Sequence, residues 1–445
     1  MATQSASAPS GDKGDESQLV GASTPLSERP SPDPDLVTWD GPNDPANPKN
    51  WPASRKWMVF IPMSLFNLLS SMSSATVAPA LEAIASDLNI RSQTLLIMSL
   101  SVYLFGSAII PLVSSPLSEM YGRIGSGMNS DLFPPQDRWK AMAVFTLAPL
   151  LGTAIGPITG GFLVQYESWP WCFYVVSIAA AVVQLAAFFL LRETFGPVLL
   201  RRKCARMRKT TGNLNLHTEY DGMSSTALLH KNLIRPFRLL ATQPIIQVLS
   251  LYLAYLNGIL YLMVATFPDV WTTIYHESDS IGSLNYISLT VGMAVATQLG
   301  TRIADRVYQR LRANNGGVAR PEFRLPILCA GACIVPIGLF WYGWSARPSI
   351  HWIMPNIGAA IYAGSTVVQL VCLFAASAMA AVMVLRSLLG FALPLIAPGL
   401  YTTLGFAWGN SLLAFIAIFI GIPSPLLLWF YGERLREKST YARNT

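Results

Sequence analysis

The stretch that decides the fold is residues 379–432, MAAVMVLRSLLGFALPLIAPGLYTTLGFAWGNSLLAFIAIFIGIPSPLLLWFYG. Arg386 is its only formally charged residue. The sequence that precedes it contains no other formal charge back to Pro348. An α-helix needs roughly 20 apolar residues to cross the ~30 Å hydrocarbon core of a bilayer. The sequence therefore predicts helices that span a membrane.

Similar runs without formal charge occur earlier, at 57–81, 92–117, 141–166 and 168–191. They lack the alternation of barrel strands, and a helix satisfies its own backbone hydrogen bonds in lipid. We predict ten spans, at about 57–81, 95–117, 141–165, 171–191, 245–268, 284–299, 325–343, 352–373, 378–400 and 407–431. The predicted fold class is an all-α integral membrane protein.

The charge distribution indicates how the spans are oriented. The chain carries a net charge of +7, and residues 192–238 contain ten Lys or Arg against three Asp or Glu, which equals the whole excess. A basic loop between spans is typical of the cytoplasmic side. Such a loop favours acidic lipid headgroups as partners, and we expect no nucleic-acid binding.

The same reasoning divides the chain into five segments. Residues 1–56 are rich in Ser, Pro, Gly and Asp, which predicts a disordered cytosolic tail. Two transmembrane halves, 57–191 and 244–432, flank a basic cytoplasmic central loop at 192–243. Residues 433–445 form a cytoplasmic tail, and with ten crossings every basic segment lies on the cytosolic side.

No pattern of residues predicts catalysis or a bound cofactor. The five cysteines are scattered without metal or disulfide spacing, and the four histidines lie near loops. The glycine-rich run 122–127 follows no strand, so it does not indicate a dinucleotide site. We expect no enzyme, no catalytic residue, no metal and no cofactor.

Several motifs carry a resemblance to a known family. They are Trp39–Trp51, Ser115–Arg123, Gly152–Gly161, Arg235–Arg238, Tyr286–Leu289 and Gly316–Phe323. Through them the chain resembles the major facilitator superfamily, specifically its fungal drug:proton antiporter branch with twelve spans. The resemblance covers about residues 39–438 and implies a two-half helical bundle.

The chain departs from the family pattern after Arg123. Members of the family have two more spans there, whereas here Gly127 is followed almost directly by Asp131, which resembles the end of the fourth span. The third span and most of the fourth are missing, together with the arginine motif that the family associates with proton coupling. The sequence therefore predicts about 10 transmembrane helices instead of 12.

The loop motif of the family corresponds to Glu119, Gly122 and Arg123, and a weaker echo in the second half includes Asp305 and Arg306. One interpretation is a charge–dipole latch between the halves, which must open in the inward-facing state. The other is a solvated turn that only sets the topology. The family match favours the latch.

The antiporter motif of the family corresponds to Gly152, Gly156, Pro157, Gly160 and Gly161. Glycines one turn apart share a helix face, so another helix can approach closely, and the proline adds a kink. Helix packing alone explains this pattern. A role in antiport is implied only by the resemblance.

Four polar residues are candidates for a substrate cavity: Asn67, Tyr255, Asn257 and Arg386. A charge deep in a span is a candidate for a functional site, whereas one near the end of a span reaches the interface. The sequence leaves both positions open for Arg386. Asn257 is the strongest candidate, because an amide in mid-span needs a polar partner or water.

Together these features predict a secondary transporter, proton-coupled and exporting small organic molecules such as drugs, polyamines or a secreted secondary metabolite. The alternative is a transport-impaired or inactive member of the same family, owing to the missing spans. The expected partners are a small organic substrate, protons and the lipid bilayer, and the expected state is a monomer. The expected location is the plasma membrane, with the vacuolar membrane as the alternative.

Overall fold

The structure is a computed structural model that describes residues 33, 35–41, 44–121, 132–133, 138–191, 193–194, 196–219, 238, 240–318, 321–373 and 379–437. It divides the chain into two compact units, Met1–Thr38 with Leu200–Asp221, and Trp39–Leu199 with Gly222–Thr445.

Helices dominate the described residues, and the only β-structure among them is one isolated bridge. The helices are α1 (Ala53–Ala75), α2 (Leu81–Asp87), α3 (Gln93–Tyr121), α4 (Arg138–Tyr166), α5 (Pro170–Leu190), α6 (Gly196–Thr211), α7 (Pro244–Asp269), α8 (Asp279–Leu284), α9 (Tyr286–Asn314), α10 (Leu325–Ser345), α11 (Ile353–Leu373), α12 (Met379–Gly421) and α13 (Pro423–Glu437). The predicted all-α fold class is confirmed.

Seven helical stretches within the described residues are long and apolar enough to cross a membrane. One of them, Val382–Phe430, has 49 residues and includes two of the predicted spans. The two are joined through Gly405, whose φ of 72° and ψ of 169° break the helical geometry inside α12. Glycine tolerates this positive φ because it has no Cβ. Eight of the ten predicted spans coincide with a helix, and those predicted at 57–81 and 407–431 are interrupted.

Prolines move two span boundaries from their predicted places. The span predicted at 57–81 is helical from Ala53 to Ala75, and a 3₁₀ turn containing Pro79 follows. The span predicted at 407–431 is interrupted at Ile422, and Pro423 begins α13. Proline lacks an amide hydrogen, so it disrupts a helix interior but suits a first turn.

Within the segment predicted to be a disordered tail, residues 44–56 carry local hydrogen bonds. The Asp44 carboxylate accepts from the amides of Asp40 and Ala46, and the Arg55 guanidinium lies 4.1 Å from the centre of the Trp51 ring. The composition-based prediction missed these short-range contacts. Residues 1–32 lie outside the described residues.

The smaller unit joins the N-terminal segment to the central loop. The Val37 amide donates to the His217 carbonyl (2.8 Å), and the His217 amide donates to the Asp35 carbonyl (2.9 Å). Val37 is buried together with Cys204 and Leu216. We call this arrangement of residues 33–38 on α6 and His217 the N-terminal clasp.

The larger unit contains two groups of helices. In the first group α1 packs along α4 and also contacts α5. In the second group α7 packs along α12, while α11 lies between α9 and α10. Contacts between the groups are made by α3 with α12 and by α4 with α8 and α9.

The connection between α3 and α4 is short. It consists of 16 residues, 122–137, of which the structure describes only Leu132 and Phe133. Two membrane spans need about 40 residues. The connection is therefore too short to hold the third and fourth spans of the family pattern.

Candidate functional site

Polar side chains from four helices meet near the middle of the larger unit. Asn257 lies about 20 Å along α7 from Pro244, at 1.5 Å per residue. Tyr261 lies on the same helix, and the other members of this polar cluster lie on α1, α3 and α12: Ser70, Ser74, Tyr103, Ser107, Arg386 and Ser387. The first group of helices supplies four of these residues and the second group supplies the others.

Arg386 and Asn257 form a reciprocal pair across α12 and α7. The Arg386 Nε donates to the Asn257 Oδ1 at 2.9 Å. The Asn257 Nδ2 donates to the backbone carbonyl of Arg386 at 3.1 Å. Because Asn257 is buried at mid-helix, the pairing places the guanidinium deep in the bundle rather than at its end. Both groups of the Asn257 amide are occupied by Arg386.

A second set of bonds links the two groups of helices. The Tyr103 hydroxyl lies 2.7 Å from the Ser70 Oγ, which joins α3 to α1. The Tyr261 hydroxyl reaches the Ser74 Oγ at 3.5 Å, and the Ser107 Oγ reaches the Ser387 Oγ at the same distance. The last two contacts join one group to the other. Bonds of this length are weak and are readily exchanged for bonds to a ligand.

Two glycines let α7 and α12 approach closely beside the pair. A Cβ added at Gly258 would lie 2.8 Å from the Leu389 carbonyl oxygen. A Cβ added at Gly390 would lie 3.0 Å from the Asn257 Nδ2 and 3.3 Å from Leu104. Close helix approach through small residues is a general packing mode in membranes. Here it brings the Asn257 amide against the backbone of α12.

The glycines of the antiporter motif lie on two faces of α4. Cβ atoms added at Gly152, Gly156 and Gly160 would lie 2.1–2.6 Å from backbone oxygens of α1. A Cβ added at Gly161 would lie 2.3 Å from the Ser283 Oγ and 2.6 Å from the Asp279 carbonyl oxygen. Pro157 lies inside α4 between these glycines. The motif therefore packs α4 on α1 and on α8, which belongs to the other group.

The loop-motif residues do not meet one another in the described part of the chain. Glu119 lies near the end of α3, and Gly122 and Arg123 fall outside the described residues. Asp305 and Arg306 are exposed on α9, with no ion pair to a described residue. A latch between these two motifs stays a prediction.

Two of the four cavity candidates lie away from the polar cluster. Asn67 donates from its Nδ2 to the Phe145 carbonyl at 3.3 Å, which joins α1 to α4. The Tyr255 hydroxyl donates to the Leu413 carbonyl at 2.7 Å and is buried. Both side chains serve helix packing in this structure. Asn257 and Arg386 are the candidates that the structure brings together.

Sequence reasoning missed most of the cluster on the first group of helices. Tyr103 and the serines lie among apolar residues, and a hydroxyl in a span often bonds its own helix backbone. Only the packing shows that they contact one another and the second-group residues Tyr261 and Ser387. Asp269 was also missed, although an acid inside the apolar stretch Ile246–Ile274 was a visible signal.

A bundle of membrane-length helices in two groups, with polar side chains meeting between them, defines a secondary transporter. The chain belongs to the Major Facilitator Superfamily, whose family model matches residues 124–394. It is therefore a multi-pass membrane transporter of small molecules and not an enzyme.

Curated relatives are similar over almost their whole length. The chain is 41% identical to "Efflux pump vrtL" of Penicillium aethiopicum, over 95% of this chain and 96% of that protein. It is 38% identical to "Efflux pump radE" of Floropilus chiversii, over 95% and 89%. The match to the first relative extends over 483 residues, more than the 445 of this chain, so at least 38 residues of the relative have no counterpart here.

Solved structures agree with the fold. A D-xylose-proton symporter matches with a TM-score of 0.56 and 14% identity, covering 84% of this chain and 97% of that chain. A peptide transporter in complex with sulfate matches with a TM-score of 0.53 and 13% identity, covering 86% and 95%. At these identities the matches establish the shared helical architecture alone.

Proposed function

We propose that the protein is a proton-coupled exporter of small organic molecules that works by alternating access. The observation that carries this proposal is the polar cluster, because both groups of helices build it and Asn257 lies near the middle of α7. A midplane site shared by two halves is the common arrangement of secondary transporters. Tyrosines, serines, an amide and a guanidinium suit binding of an amphipathic molecule better than chemistry on it.

The direction of transport is argued from the relatives. Two proteins that are 38–41% identical over almost their full length are named efflux pumps. Fungal exporters of this kind make a drug, a polyamine or a secreted secondary metabolite a reasonable substrate.

Asp269 supports coupling to protons. It lies inside an apolar helical stretch, at the end of α7. An ionisable group in a membrane segment is costly and marks a proton or ion pathway by default. In this proposal Asp269 takes the place of the missing fourth-span arginine as the proton-responsive group.

The contact of α4 with α8 and α9 supports alternating access. The Ser280 amide donates to the Gln165 Oε1 at 3.0 Å, and the Thr290 Oγ1 donates to the Leu150 carbonyl at 3.3 Å. In our proposal these contacts close one side of the path and break when that side opens. The acids Glu119 and Asp305 form the corresponding latch at the opposite side.

We further propose that the α8 side faces away from the cytosol, in the plasma membrane, and that the protein acts as a monomer. The five segments derived from the sequence keep their proposed sides, because α9 begins next to α8 and carries its arginines toward its other end. Single cysteines at the exposed positions His276 and Lys209, in a version without native cysteines, test this. A membrane-impermeant thiol reagent should label intact cells at 276 and not at 209. Labelling at 209 would reverse the orientation.

Export itself is tested by expressing the chain in a pump-deficient yeast and measuring dye efflux. We expect efflux above that of the empty vector, and its loss when a protonophore is added. The variant Asp269→Asn should reduce efflux and its protonophore sensitivity together. Efflux that a protonophore leaves unchanged would contradict proton coupling.

A transport-impaired protein is the second candidate, and two observations favour it. The connection between α3 and α4 is too short for two spans, and a close relative has at least 38 residues without a counterpart. Missing spans leave gaps in the wall of the path. Absence of efflux from a chain that reaches the cell surface would favour this candidate.

A further inference from the structure

We propose that the polar cluster selects organic anions, specifically aromatic carboxylates or phenolates, and disfavours cations such as polyamines. This inference deepens the proposed function and rests on it for the location of the site. It starts from the charge of the cluster. Arg386 is the one formally charged residue within it, and its guanidinium is deep in the bundle.

No carboxylate on the four helices of the cluster lies within contact distance to neutralise this charge. Helices α1 and α12 contain no Asp or Glu. On α3 and α7 the acids within the spans are Glu119, twelve residues from Ser107, and Asp269, twelve residues from Asn257 and eight from Tyr261. Twelve residues of helix correspond to about 18 Å. A cationic ligand would therefore meet an unscreened positive charge and no counter-charge.

The pairing with Asn257 leaves the guanidinium able to bind a ligand. Asn257 uses its amide oxygen on the Arg386 Nε and its amide nitrogen on the Arg386 carbonyl. The two terminal nitrogens of Arg386 have no hydrogen bond to any described residue. These nitrogens form the planar fork that binds a carboxylate through two bonds. Asn257 is thus a positioning residue that fixes the stem of the arginine and leaves its fork free.

The neighbours of the guanidinium indicate an aromatic ligand. The Tyr261 ring lies against Gly390, one turn from Arg386, and Tyr103 bonds Ser70 between α3 and α1. Phe105 on α3 and Phe391 on α12 pack together at 5.5 Å between ring centres, two residues beyond Tyr103 and five beyond Arg386 along the chain. Flat apolar surfaces next to a half-buried cation match a ligand with a ring system and one acidic group.

The test compares two dyes that share a ring system and differ in charge. Fluorescein carries a carboxylate and a phenolate, whereas rhodamine 123 is a cation. Their binding to the full chain in lipid nanodiscs is measured by fluorescence anisotropy. We expect saturable fluorescein binding at least tenfold tighter than rhodamine binding. Equal affinities, or no saturable fluorescein binding, would overturn the proposal.

Substitutions assign the selectivity to the guanidinium. Arg386→Gln should weaken fluorescein binding about tenfold or more, the usual effect of losing a bond to a charged group. Arg386→Lys should retain part of the affinity, and Asn257→Asp should weaken it because the added carboxylate neutralises the arginine. The control is Arg347→Gln, which removes an arginine that stacks on Trp344 away from the cluster. Unchanged fluorescein affinity in a folded Arg386→Gln protein would also overturn the proposal.

Binding and export fail separately in this design. Selective, Arg386-dependent binding without efflux from cells would support the anion site and contradict the proposed export. If Arg386→Gln does not fold, judged by gel filtration in detergent, Asn257→Asp decides, because it keeps the size of the side chain. Fluorescein affinity that Asn257→Asp leaves unchanged would count against the site.

Discussion

The two groups of helices differ in how much of their surface they bury against protein. In the most apolar 18 residues of the stretch that contains α7, 72% of the residues are buried inside the protein. In the corresponding residues of α5 the share is 6%. Cys172 and Ala187 are the buried residues of α5, and Phe188 and Phe189 are 79% and 72% exposed. Helix α7 of the second group has neighbours on most sides, and helix α5 of the first group lacks them.

This difference shows which part of a membrane protein tolerates missing spans. Lipid tails are as apolar as the side chains of α5, so lipid covers this helix without a hydrophobic penalty. The polar cluster has no such substitute, because it needs walls on every side to exclude lipid and to hold a ligand. A gap in the first group therefore affects the transport path more than the fold.

The largest expected effect comes from filling that gap. Two spans taken from the Penicillium aethiopicum relative and inserted between Arg123 and Asp131 should raise dye efflux by about tenfold or more. The reason is that the inserted helices would complete a site that both halves build. Efflux from pump-deficient yeast measures the change, with surface abundance determined in parallel.

The control for this insertion is a hairpin of two leucine-rich spans of equal length. It restores the number of crossings but not the side chains that line the path, and it should leave efflux low. Strong efflux from the original chain would show that the ten spans suffice, and the difference between the groups would then have no functional weight.

The second prediction contrasts one asparagine from each group. Asn257→Ala removes the partner of a half-buried guanidinium and should cost about 1.5–3 kcal/mol of stability, the usual range for a bond to a charged group. Asn67→Ala removes a bond to a backbone carbonyl and should cost about 1 kcal/mol. Thermal unfolding in detergent, followed by tryptophan fluorescence, ranks the two. The reverse order would show that Arg386 finds another partner.

The third prediction concerns the best-packed contact of the first group. Gly160→Ala would place a Cβ 2.1 Å from the Thr76 carbonyl oxygen, so α1 and α4 must separate at a cost of about 1–3 kcal/mol. Gly106→Ala on α3 meets no atom within 4 Å and should be neutral or slightly stabilising, since alanine favours helices. Melting temperatures of the two variants test this. Equal values would mean that α1 and α4 can move apart freely.

The smallest expected effect is a dependence of stability on pH at the α8 side. Burial raises the pKa of the Asp279 carboxyl, and burial also raises that of Glu277 despite the hydrogen bond from Asn285. In the unfolded chain both carboxyls have their ordinary pKa. At a pH between the ordinary and the raised pKa, the folded protein therefore binds more protons than the unfolded chain. Stability should therefore rise as pH falls through that window and be lower above it.

Melting temperatures between pH 4 and pH 8 measure this dependence. The double variant Glu277→Gln, Asp279→Asn should flatten it, because neither position can then titrate. A slope that persists in the double variant would assign the effect to other groups.

The helical architecture was predictable because it depends on apolar length, which the sequence displays directly. Eight of the ten predicted spans coincide with a helix, and Gly405 and Pro423 account for the altered boundary at the end of the chain. The local hydrogen bonds of residues 44–56, such as those of Asp44, were not predictable from composition. Composition averages over such contacts.

Of the candidate site, only the residues contributed by the second group of helices were predictable from the sequence. Asn257 and Arg386 are rare residue types in spans, so each was noticed alone, but their pairing depends on the approach of α7 to α12 at Gly258. Tyr103, Ser70 and Ser74 are common in spans, so only their place in the bundle distinguishes them. Tyr255 shows the converse, because its hydroxyl satisfies a backbone carbonyl far from the cluster.

The N-terminal clasp turns one native cysteine into a reporter. Cys204 is 2% exposed, and its thiol lies 3.4 Å from the Leu216 carbonyl, beneath Val37. Trimming the protein to begin after Thr38, or displacing the segment with a fusion partner, would uncover this sulfur. Its rate of alkylation thus reads out whether the first residues of the chain are seated on the central loop, with no label added to the protein.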